Sequence, residues 1–186
     1  MTLDTSEGHS LSLQGVQLLA GSGKTVPADE ALAGKHVALY FSAHWCPPCR
    51  GFTPVLADVY QQLKQQGKEF EMVFVTADRS KSQFEEYFEQ MPWLAVPFED
   101  ASLQRRLSER FGVQGIPRLV VLGPDGSVVA HDARAAVMAD RVGANFPWAG
   151  AAGPTGLAAL LSTPRGLLLL FMLLWWLSQW FTKRQS

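Results

Sequence analysis

The sequence predicts an α/β fold in which a mixed central sheet is flanked by helices. Short continuous apolar runs, typical of buried strands, alternate with stretches whose apolar residues recur every three or four positions, typical of helices. In addition, two apolar runs flank the turn sequence Gly-Pro-Asp-Gly at 123–126 and predict an antiparallel hairpin. Strands joined through helices together with strands joined by a hairpin give a mixed sheet.

Residues 1–28 are predicted to form an N-terminal extension with a hairpin at the edge of the sheet. Residues 16–19 offer a short edge-strand signal. The sequence Gly-Ser-Gly-Lys-Thr at 21–25 is similar to the end of a phosphate-binding loop, but the first glycine of that motif would fall at Leu18. Pro27 also stands where the phosphate-binding helix would run. We therefore interpret residues 21–25 as a turn.

Residues 29–148 are predicted to form the main domain. Its elements follow in chain order, and the second helix is expected to end at Pro92 and the third at Gly112. Pro54 is expected to kink the first helix. The predicted elements are a strand at 37–41, a helix with apolar residues at 52–63, a strand at 70–75, helices at 84–91 and 103–111, hairpin strands at 119–122 and 128–130, and a last helix at 135–142.

The composition fits one domain with appendages and gives no support for nucleic-acid binding. The chain has 186 residues, of which 47% are hydrophobic, and this is enough for a sizeable core. Its net charge is −1, and no basic cluster with interleaved aromatic residues occurs. No nucleic-acid partner is therefore predicted.

The two cysteines of the chain, Cys46 and Cys49, lie where the first buried strand gives way to a helix. Two thiols at this spacing can close a disulfide across the first turn of the helix. The same spacing is half of a zinc site, but there is no second cysteine pair and the four histidines show no ligand spacing. We interpret the pair as a redox dithiol and predict neither a metal nor a cofactor.

The position of the pair predicts different roles for its members. At a helix N-terminus, unpaired N–H groups and the helix dipole stabilise the thiolate of Cys46, which is the nucleophilic form. Cys49, one turn further in, is expected to be more buried and to attack the mixed disulfide. Pro47 and Pro48 lack N–H groups that the first turn would leave unpaired, and they stiffen the loop.

The C-terminal part of the chain changes in composition. Residues 149–165 are rich in glycine, alanine and proline and are predicted to be a flexible linker. Residues 166–182 are uncharged and predict a transmembrane tail anchor, although residues 166–181 as a helix would span only roughly 24 Å. An amphipathic helix docked on the domain is the alternative, but apolar residues occupy every face. The predicted location is the mitochondrial outer membrane, with the redox domain facing the cytosol.

The sequence Tyr-Phe-Ser-Ala-His-Trp-Cys-Pro-Pro-Cys-Arg-Gly-Phe-Thr-Pro at 40–54 resembles that of tryparedoxins, relatives of thioredoxin that carry electrons from trypanothione to peroxidases. The resemblance covers about residues 30–148 and implies a thioredoxin-like fold. Nucleoredoxins share Trp-Cys-Pro-Pro-Cys-Arg, but other matching strings favour tryparedoxins. These strings are Met-Pro-Trp-Leu-Ala-Val-Pro-Phe at 91–98 and Phe-Pro-Trp at 146–148, alongside Gly-Ile-Pro at 115–117 and Ala-Arg-Ala at 133–135.

The resemblance implies a substrate-binding set around the dithiol, with Cys46 as nucleophile and Cys49 as resolving thiol. Trp45 would form a wall of the site, and Pro117 would be a cis-proline that faces the disulfide. Ile116 would offer backbone groups to the substrate, and Arg134 would lie near the binding surface for the thiol substrate. Pro47 is the remaining residue expected to contact the substrate.

Two supporting residues, Tyr40 and Arg50, complete the predicted site. Tyr40 stands where thioredoxins keep a buried carboxylate that handles the proton of the resolving thiol, so water or the phenol would have to replace it. Packing alone remains an alternative role for Tyr40, as does a solvated surface charge for Arg134. His44 is expected to be exposed, with assistance to thiolate formation as its other possible role.

The expected function is thiol–disulfide exchange, with electrons passing from a low-molecular-weight dithiol such as trypanothione to disulfide proteins such as peroxidases. One departure from tryparedoxins puts the reductant in question: their acidic cluster, suited to a cationic polyamine, is reduced here to Asp78 followed by Arg79. The alternative is a nucleoredoxin-like binding module, tethered at a membrane, whose affinity the dithiol switches. A scaffold in which both cysteines are dispensable is a third possibility.

Overall fold

Seven strands and five helices follow one another in the part of the chain that the computed structural model describes, namely Leu13, residues 15–21 and residues 23–152. They are β1 (Gln17–Leu19), β2 (Thr25–Pro27), α1 (Ala28–Ala31), β3 (His36–Ser42), α2 (Pro47–Gln65), β4 (Phe70–Thr76), α3 (Lys81–Phe88), β5 (Leu94–Ala95), α4 (Ala101–Arg110), β6 (Arg118–Leu122), β7 (Val128–Ala130) and α5 (Arg134–Ala139).

The strands form one mixed sheet in the order β2-β1-β5-β4-β3-β6-β7. Strands β3, β4 and β5 run parallel, and the remaining neighbours pair antiparallel, including the hairpins β1–β2 and β6–β7. The prediction of an α/β fold with a mixed sheet is therefore confirmed. In the stretch for which a phosphate-binding loop is the alternative, Gly21, Gly23 and Lys24 lie between β1 and β2 in the turn of this hairpin, and Thr25 is the first residue of β2.

The two faces of the sheet bury different side chains because alternate residues of each strand point to opposite sides. The aromatic face is covered by α2, α3 and α5, and its buried residues include Tyr40, Phe52, Tyr60, Phe70, Phe74, Phe84, Tyr87, Phe88, Trp93 and Trp148. The aliphatic face is covered by α4, and its buried residues include Val37, Leu39, Val73, Val75, Leu103, Leu107, Val120 and Leu122.

Two helices end earlier than the apolar spacing predicts. Helix α3 ends at Phe88 rather than at Met91, because the residue before Pro92 is disfavoured in the helical conformation and the chain turns first. Helix α5 ends at Ala139 rather than at 142. There the carboxylate of Asp140 accepts the N–H groups of the loop residues Ala144 and Asn145 and directs the chain away.

Two short elements, α1 and β5, were not predicted. Strand β5 has only two residues, which is too few to produce an alternating pattern, and its place in the sheet comes from pairing with β1 and β4. Helix α1 has four residues and follows Pro27, which provides its N-cap position. Both elements are consequences of tertiary packing rather than of a local sequence signal.

The prediction of a membrane anchor requires correction. Within residues 15–21 and 23–152, no helix is both long and apolar enough to cross a membrane. The longest of them, α2, has 19 residues and exposes polar side chains such as Arg50, Gln61 and Lys64. The predicted span at 166–182 lies outside the described residues, as does most of the predicted linker. The predicted placement in the mitochondrial outer membrane with a cytosol-facing domain therefore has no support from a spanning helix in the described residues.

Candidate active site

Cys46 and Cys49 form a disulfide at the junction between β3 and α2. Cys46 occupies the N-cap position of α2, and Cys49 lies in its first turn. Their Cα atoms are 5.2 Å apart, which lies within the usual range for a disulfide. Cys46 is 4% exposed and Cys49 is completely buried, so the first cysteine is the more accessible of the two.

The loop before β6 lies directly against the disulfide. The peptide bond between Ile116 and Pro117 is cis, as the resemblance implies. The carbonyl oxygen of Ile116 lies 3.9 Å from the Sγ of Cys46. The side chain of Ile116 packs against the cluster formed by Ala43 and both cysteines. Pro117 itself is buried. A backbone segment that binds beside Ile116 would thus come within reach of Cys46.

Trp45 is the large exposed side chain next to the dithiol, with 42% of its surface accessible. Its indole N–H donates a hydrogen bond to the carbonyl of Ala77 at 3.0 Å, which fixes the ring relative to the end of β4. The guanidinium of Arg79 lies 5.2 Å from the centre of this ring, a cation–π distance. Pro47 is also exposed. The rim beside Cys46 is therefore aromatic and carries a positive charge.

The backbone that leads into the dithiol is held by charged side chains. The N–H of His44 donates to Oδ1 of Asp78 at 2.7 Å, and the carbonyl of His44 accepts from Nη1 of Arg50 at 2.5 Å. Oδ2 of Asp78 accepts from the hydroxyl of Thr76. His44 is partly buried rather than exposed, and its Nε2 lies 3.8 Å from Oε1 of Glu86. Arg50 and Asp78 thus fix the turn that presents Cys46.

Four buried hydroxyl groups, which we call the hydroxyl cluster, lie behind Cys49: those of Tyr40, Ser42, Thr53 and Tyr87. The hydroxyl of Thr53 donates to the carbonyl of Cys49 at 3.1 Å and also contacts the phenols of Tyr40 and Tyr87. Ser42 joins the same two phenols, each at 3.0 Å. The Tyr40 hydroxyl lies 3.4 Å from the carbonyl of Cys49. Every member therefore has partners within the cluster.

Burial raises the pKa of Tyr40 well above that of a free phenol, and the neighbouring Tyr87 acts in the same direction. The phenol consequently remains protonated throughout the physiological range. It can donate a hydrogen bond and accept another, but it does not supply the negative charge that a carboxylate would. The position implied by the resemblance is thus occupied by a neutral hydrogen-bonding group.

Arg134 lies against Asp132, a buried carboxylate between β7 and α5. Nε of Arg134 donates to both carboxylate oxygens, at 2.9 and 3.0 Å, and Nη2 donates to Oδ2 at 2.6 Å. These hydrogen bonds raise the pKa of the Arg134 guanidinium. Arg118, at the start of β6, places Nη1 3.7 Å from the same Oδ2. The predicted residue Arg134 is thus part of a three-residue charged cluster.

Sequence reasoning missed several residues of the site because their partners are distant in the chain. Thr53 and Tyr87 are 34 residues apart, and the sequence pattern indicates only that each lies in a helix. Asp132 could have been found from its position two residues before Arg134, an arrangement that permits a local ion pair. In the described residues, no group of three His, Cys, Asp or Glu side chains could hold a metal ion.

The sequence and the structure are both similar to those of thioredoxin-like proteins. Residues 34–128 match the sequence family described as thioredoxin-like. Tryparedoxin from Trypanosoma brucei brucei is 49% identical over 132 residues, which are 70% of this chain and 90% of that protein. Nucleoredoxin from Mus musculus is 48% identical over 131 residues, or 70% of this chain, but the chain spans only 30% of its length. A solved structure of tryparedoxin II complexed with glutathionylspermidine has a TM-score of 0.69 at 40% identity, covering 73% of this chain and 93% of that one.

Proposed function

The chain belongs to the thioredoxin-like family, and within it we propose a tryparedoxin-like thiol–disulfide oxidoreductase that acts through Cys46 and Cys49. It would pass electrons from a low-molecular-weight dithiol, such as trypanothione, to disulfide proteins such as peroxidases. The observation that carries this proposal is the disulfide itself, in which Cys46, the less buried of the two residues, lies beside the Ile116 carbonyl and Cys49 is completely buried.

In the reduced protein, the thiolate of Cys46 attacks one sulfur of the substrate disulfide. A mixed disulfide forms, and the other substrate sulfur leaves as a thiolate. Cys49 then attacks Cys46, which closes the internal disulfide and releases the second substrate thiol. The substrate gains two electrons and the protein loses two, and the two thiol protons of the pair are transferred to the products. The N-cap position of Cys46 and the deeper burial of Cys49 support this assignment.

The surroundings of the pair support roles for the other predicted residues. An extended substrate segment would pair with the backbone at Ile116, held by the cis Pro117, while the Trp45 ring and Pro47 cover its other side. Arg50 would keep the loop in place through the carbonyl of His44. The Tyr40 phenol would hydrogen-bond near Cys49 in place of a carboxylate.

Two observations bear on the identity of the reductant, and they point in opposite directions. Tryparedoxin II, one of the similar solved structures, is complexed with glutathionylspermidine, a thiol conjugate of a cationic polyamine. This supports trypanothione as the first reductant to test. In this chain, however, Arg79 lies over Trp45, and a positive charge at that position repels a polyamine.

A trapping experiment tests the proposed exchange. The purified Cys49→Ser variant, reduced and then mixed with insulin, should accumulate one covalent adduct through Cys46 because the resolving thiol is missing. Non-reducing electrophoresis and peptide mass spectrometry would detect that adduct. The wild-type protein should instead catalyse insulin reduction with trypanothione or dithiothreitol as electron source.

The matched variant is Cys46→Ser, which keeps Cys49 and should form no adduct because its remaining thiol is buried. Adducts of equal yield in both variants would contradict the assignment of Cys46 as the attacking thiol. Wild-type turnover no faster than the reductant alone would contradict the enzymatic function.

The similarity to nucleoredoxin, at 48% identity, favours a second candidate, a binding module whose affinity for a partner depends on the state of the pair. Turnover separates the two functions. Negligible insulin reduction, combined with a partner retained by only one of the two redox states, would favour the binding module.

A further inference from the structure

Arg118, the first residue of β6, directly follows the cis Pro117 of the loop that lies against the dithiol. The Ile116 carbonyl is 3.9 Å from the Sγ of Cys46, and two residues of extended chain span at most about 7 Å. Any disulfide that reaches Cys46 along this loop therefore passes close to the root of the Arg118 side chain. The side chain is 26% exposed, so it is accessible from solvent.

The ion pair of Arg118 is incomplete. Asp132 is shared by two guanidiniums, and Arg134 takes both of its oxygens at 2.6 to 3.0 Å. Within the described part of the chain, Arg118 is left with a loose ion pair, 3.7 Å from Nη1 to Oδ2 of Asp132. Its Nε is buried and has no hydrogen-bond partner among the residues that the structure describes. A buried donor without a partner is uncommon and calls for an explanation.

The charges of this cluster do not cancel, because two arginines face one carboxylate. The remaining positive charge belongs to the start of β6, directly after the loop that contacts Cys46, and Arg79 places another positive charge over Trp45. The nearby Asp78 is engaged, since one oxygen accepts the His44 N–H and the other the Thr76 hydroxyl. Glu86 provides a negative charge near His44. The Trp45 side of the pair thus carries charges of both signs, whereas the cluster of Arg118, Asp132 and Arg134 keeps an excess positive charge.

We propose that Arg118 is an anion-binding, specificity-determining residue, and that it selects disulfides with a carboxylate close to the reacting sulfur. This inference rests on the proposed exchange function and names a substrate class for it. The guanidinium of Arg118 binds the substrate carboxylate. Asp132 does not compete strongly for Arg118, because Arg134 already forms hydrogen bonds to both oxygens of that carboxylate. Peptide disulfides of the glutathione type, which carry two carboxylates on each half, belong to this class.

Three small disulfides of different charge test the proposal: glutathione disulfide, which is anionic; hydroxyethyl disulfide, which is neutral; and cystamine, which is cationic. The reduced protein is mixed with each, quenched with a maleimide, and its free thiols are counted by mass spectrometry. In the reaction with glutathione disulfide, Cys46 displaces one glutathione thiolate and Cys49 the second. The protein is oxidised by two electrons, and its two thiol protons end on the two glutathiones.

Arg118→Gln should slow oxidation by glutathione disulfide about tenfold, the effect of one lost charge-assisted hydrogen bond. Its rate with hydroxyethyl disulfide should stay within about twofold, and its rate with cystamine should rise. Arg118→Lys should recover part of the glutathione rate, because it restores the charge without the planar fork. The matched control is Arg106→Gln, which removes the same charge from an exposed position on α4 and should leave the ratio of the three rates unchanged.

Equal slowing of all three disulfides in Arg118→Gln would overturn the proposal and assign the residue a structural role. So would unchanged rates, and both results would leave the exchange function standing. Failure of the wild type to react with any disulfide would instead overturn the exchange function. In that case the proposal is still tested by calorimetry with S-methylglutathione, which cannot undergo disulfide exchange. The proposal requires that this compound bind the wild type, and that it bind Arg118→Gln about tenfold more weakly.

Discussion

The two faces of the sheet differ in chemistry although they are built on the same strands. On β3, Leu39 points to the aliphatic face and Tyr40 to the aromatic face. Leu39 is surrounded by hydrocarbon, because its neighbours across the sheet are Val73 and Val120. Tyr40 instead joins the hydroxyl cluster next to Cys49. One face therefore contributes packing alone, whereas the other combines packing with the surroundings of a reactive group.

The difference follows from the position of α2. This helix begins at the cysteines and lies on the aromatic face, so its first two turns bring Cys49 and Thr53 over the end of β3. Polar groups near the buried sulfur must find partners, and hydroxyls on β3, α2 and α3 supply them to one another. The aliphatic face lies away from this turn and needs no such groups. Mutations on the two faces should consequently change different properties.

The largest expected effect is on stability, from Leu39→Ala on the aliphatic face. Leu39 is fully buried in a central strand, so truncation should lower the free energy of unfolding by about 3 kcal/mol. Urea unfolding of the oxidised protein measures this loss. The reduction potential of the Cys46–Cys49 pair should stay at the wild-type value, because the cavity opens on the opposite side of the sheet.

The control for Leu39→Ala is Val128→Ala, a truncation of an exposed aliphatic residue on β7, which should change the unfolding free energy by no more than about 0.5 kcal/mol. A shift in reduction potential in Leu39→Ala would contradict the separation of the two faces. It would indicate that packing on the aliphatic face also positions the cysteines.

A smaller loss of stability, accompanied by a change in redox chemistry, is expected from Thr53→Val. The substitution keeps the shape but removes a hydroxyl that bonds to the carbonyl of Cys49 and to two phenols. The buried groups left without a partner should lower the free energy of unfolding, measured with urea, by about 1–3 kcal/mol. Because Cys49 loses a hydrogen bond in its own turn, its attack on a mixed disulfide should change in rate, which stopped-flow mixing with a preformed Cys46 adduct would detect.

Thr25→Val serves as the comparison, because Thr25 is exposed on the edge strand β2 and its hydroxyl lies far from the cysteines along the sheet. That variant should match the wild type in both measurements. Unchanged attack by Cys49 in Thr53→Val would limit the hydroxyl cluster to a packing role.

The two faces also differ in how far the sequence predicts them. Continuous apolar runs and helical spacing predict β3, β4, α2 and the β6–β7 hairpin, because burial imposes these patterns locally. Short sequence motifs likewise predict the dithiol, and through the resemblance to tryparedoxins they predict its neighbours Trp45 and Pro117. The hydroxyl cluster does not, because Tyr87 has the spacing of an apolar helix residue and its polar partners lie on other elements. Pairing of side chains across elements leaves no periodic signal.

The same limit explains Arg118 and Asp132. Nothing in the sequence distinguishes Arg118 from other charged residues, since its loose pairing arises only when β6 and the β7–α5 connection meet. Tyr40 is an intermediate case. The resemblance to tryparedoxins implies that it lies near the pair, but whether it only packs or also forms hydrogen bonds depends on Thr53 and Ser42, which lie elsewhere in its surroundings. The structure favours the bonded arrangement.

The smallest expected effect comes from Tyr40→Phe and is seen best at alkaline pH. At pH 7 the loss of one hydroxyl from the cluster should lower the unfolding free energy by about 1 kcal/mol. The pKa of Tyr40 is raised in the folded protein, mainly by burial, whereas a tyrosine in the unfolded chain ionises near its ordinary pKa of about 10. Above that pH the folded state binds the phenol proton more tightly, so the wild type loses stability as the pH rises.

Tyr40→Phe lacks this titration, so its stability should fall less between about pH 9 and 11 than that of the wild type in urea unfolding of the oxidised protein. Tyr60→Phe is the matched variant, because burial and the hydrogen bond to Glu71 also raise the pKa of Tyr60 on the same face. Both variants should share the weaker alkaline loss, but only Tyr40→Phe should alter the rate at which Cys49 resolves a mixed disulfide. If Tyr60→Phe altered that rate equally, the aromatic face would act on the dithiol through its packing as a whole rather than through the hydroxyl cluster.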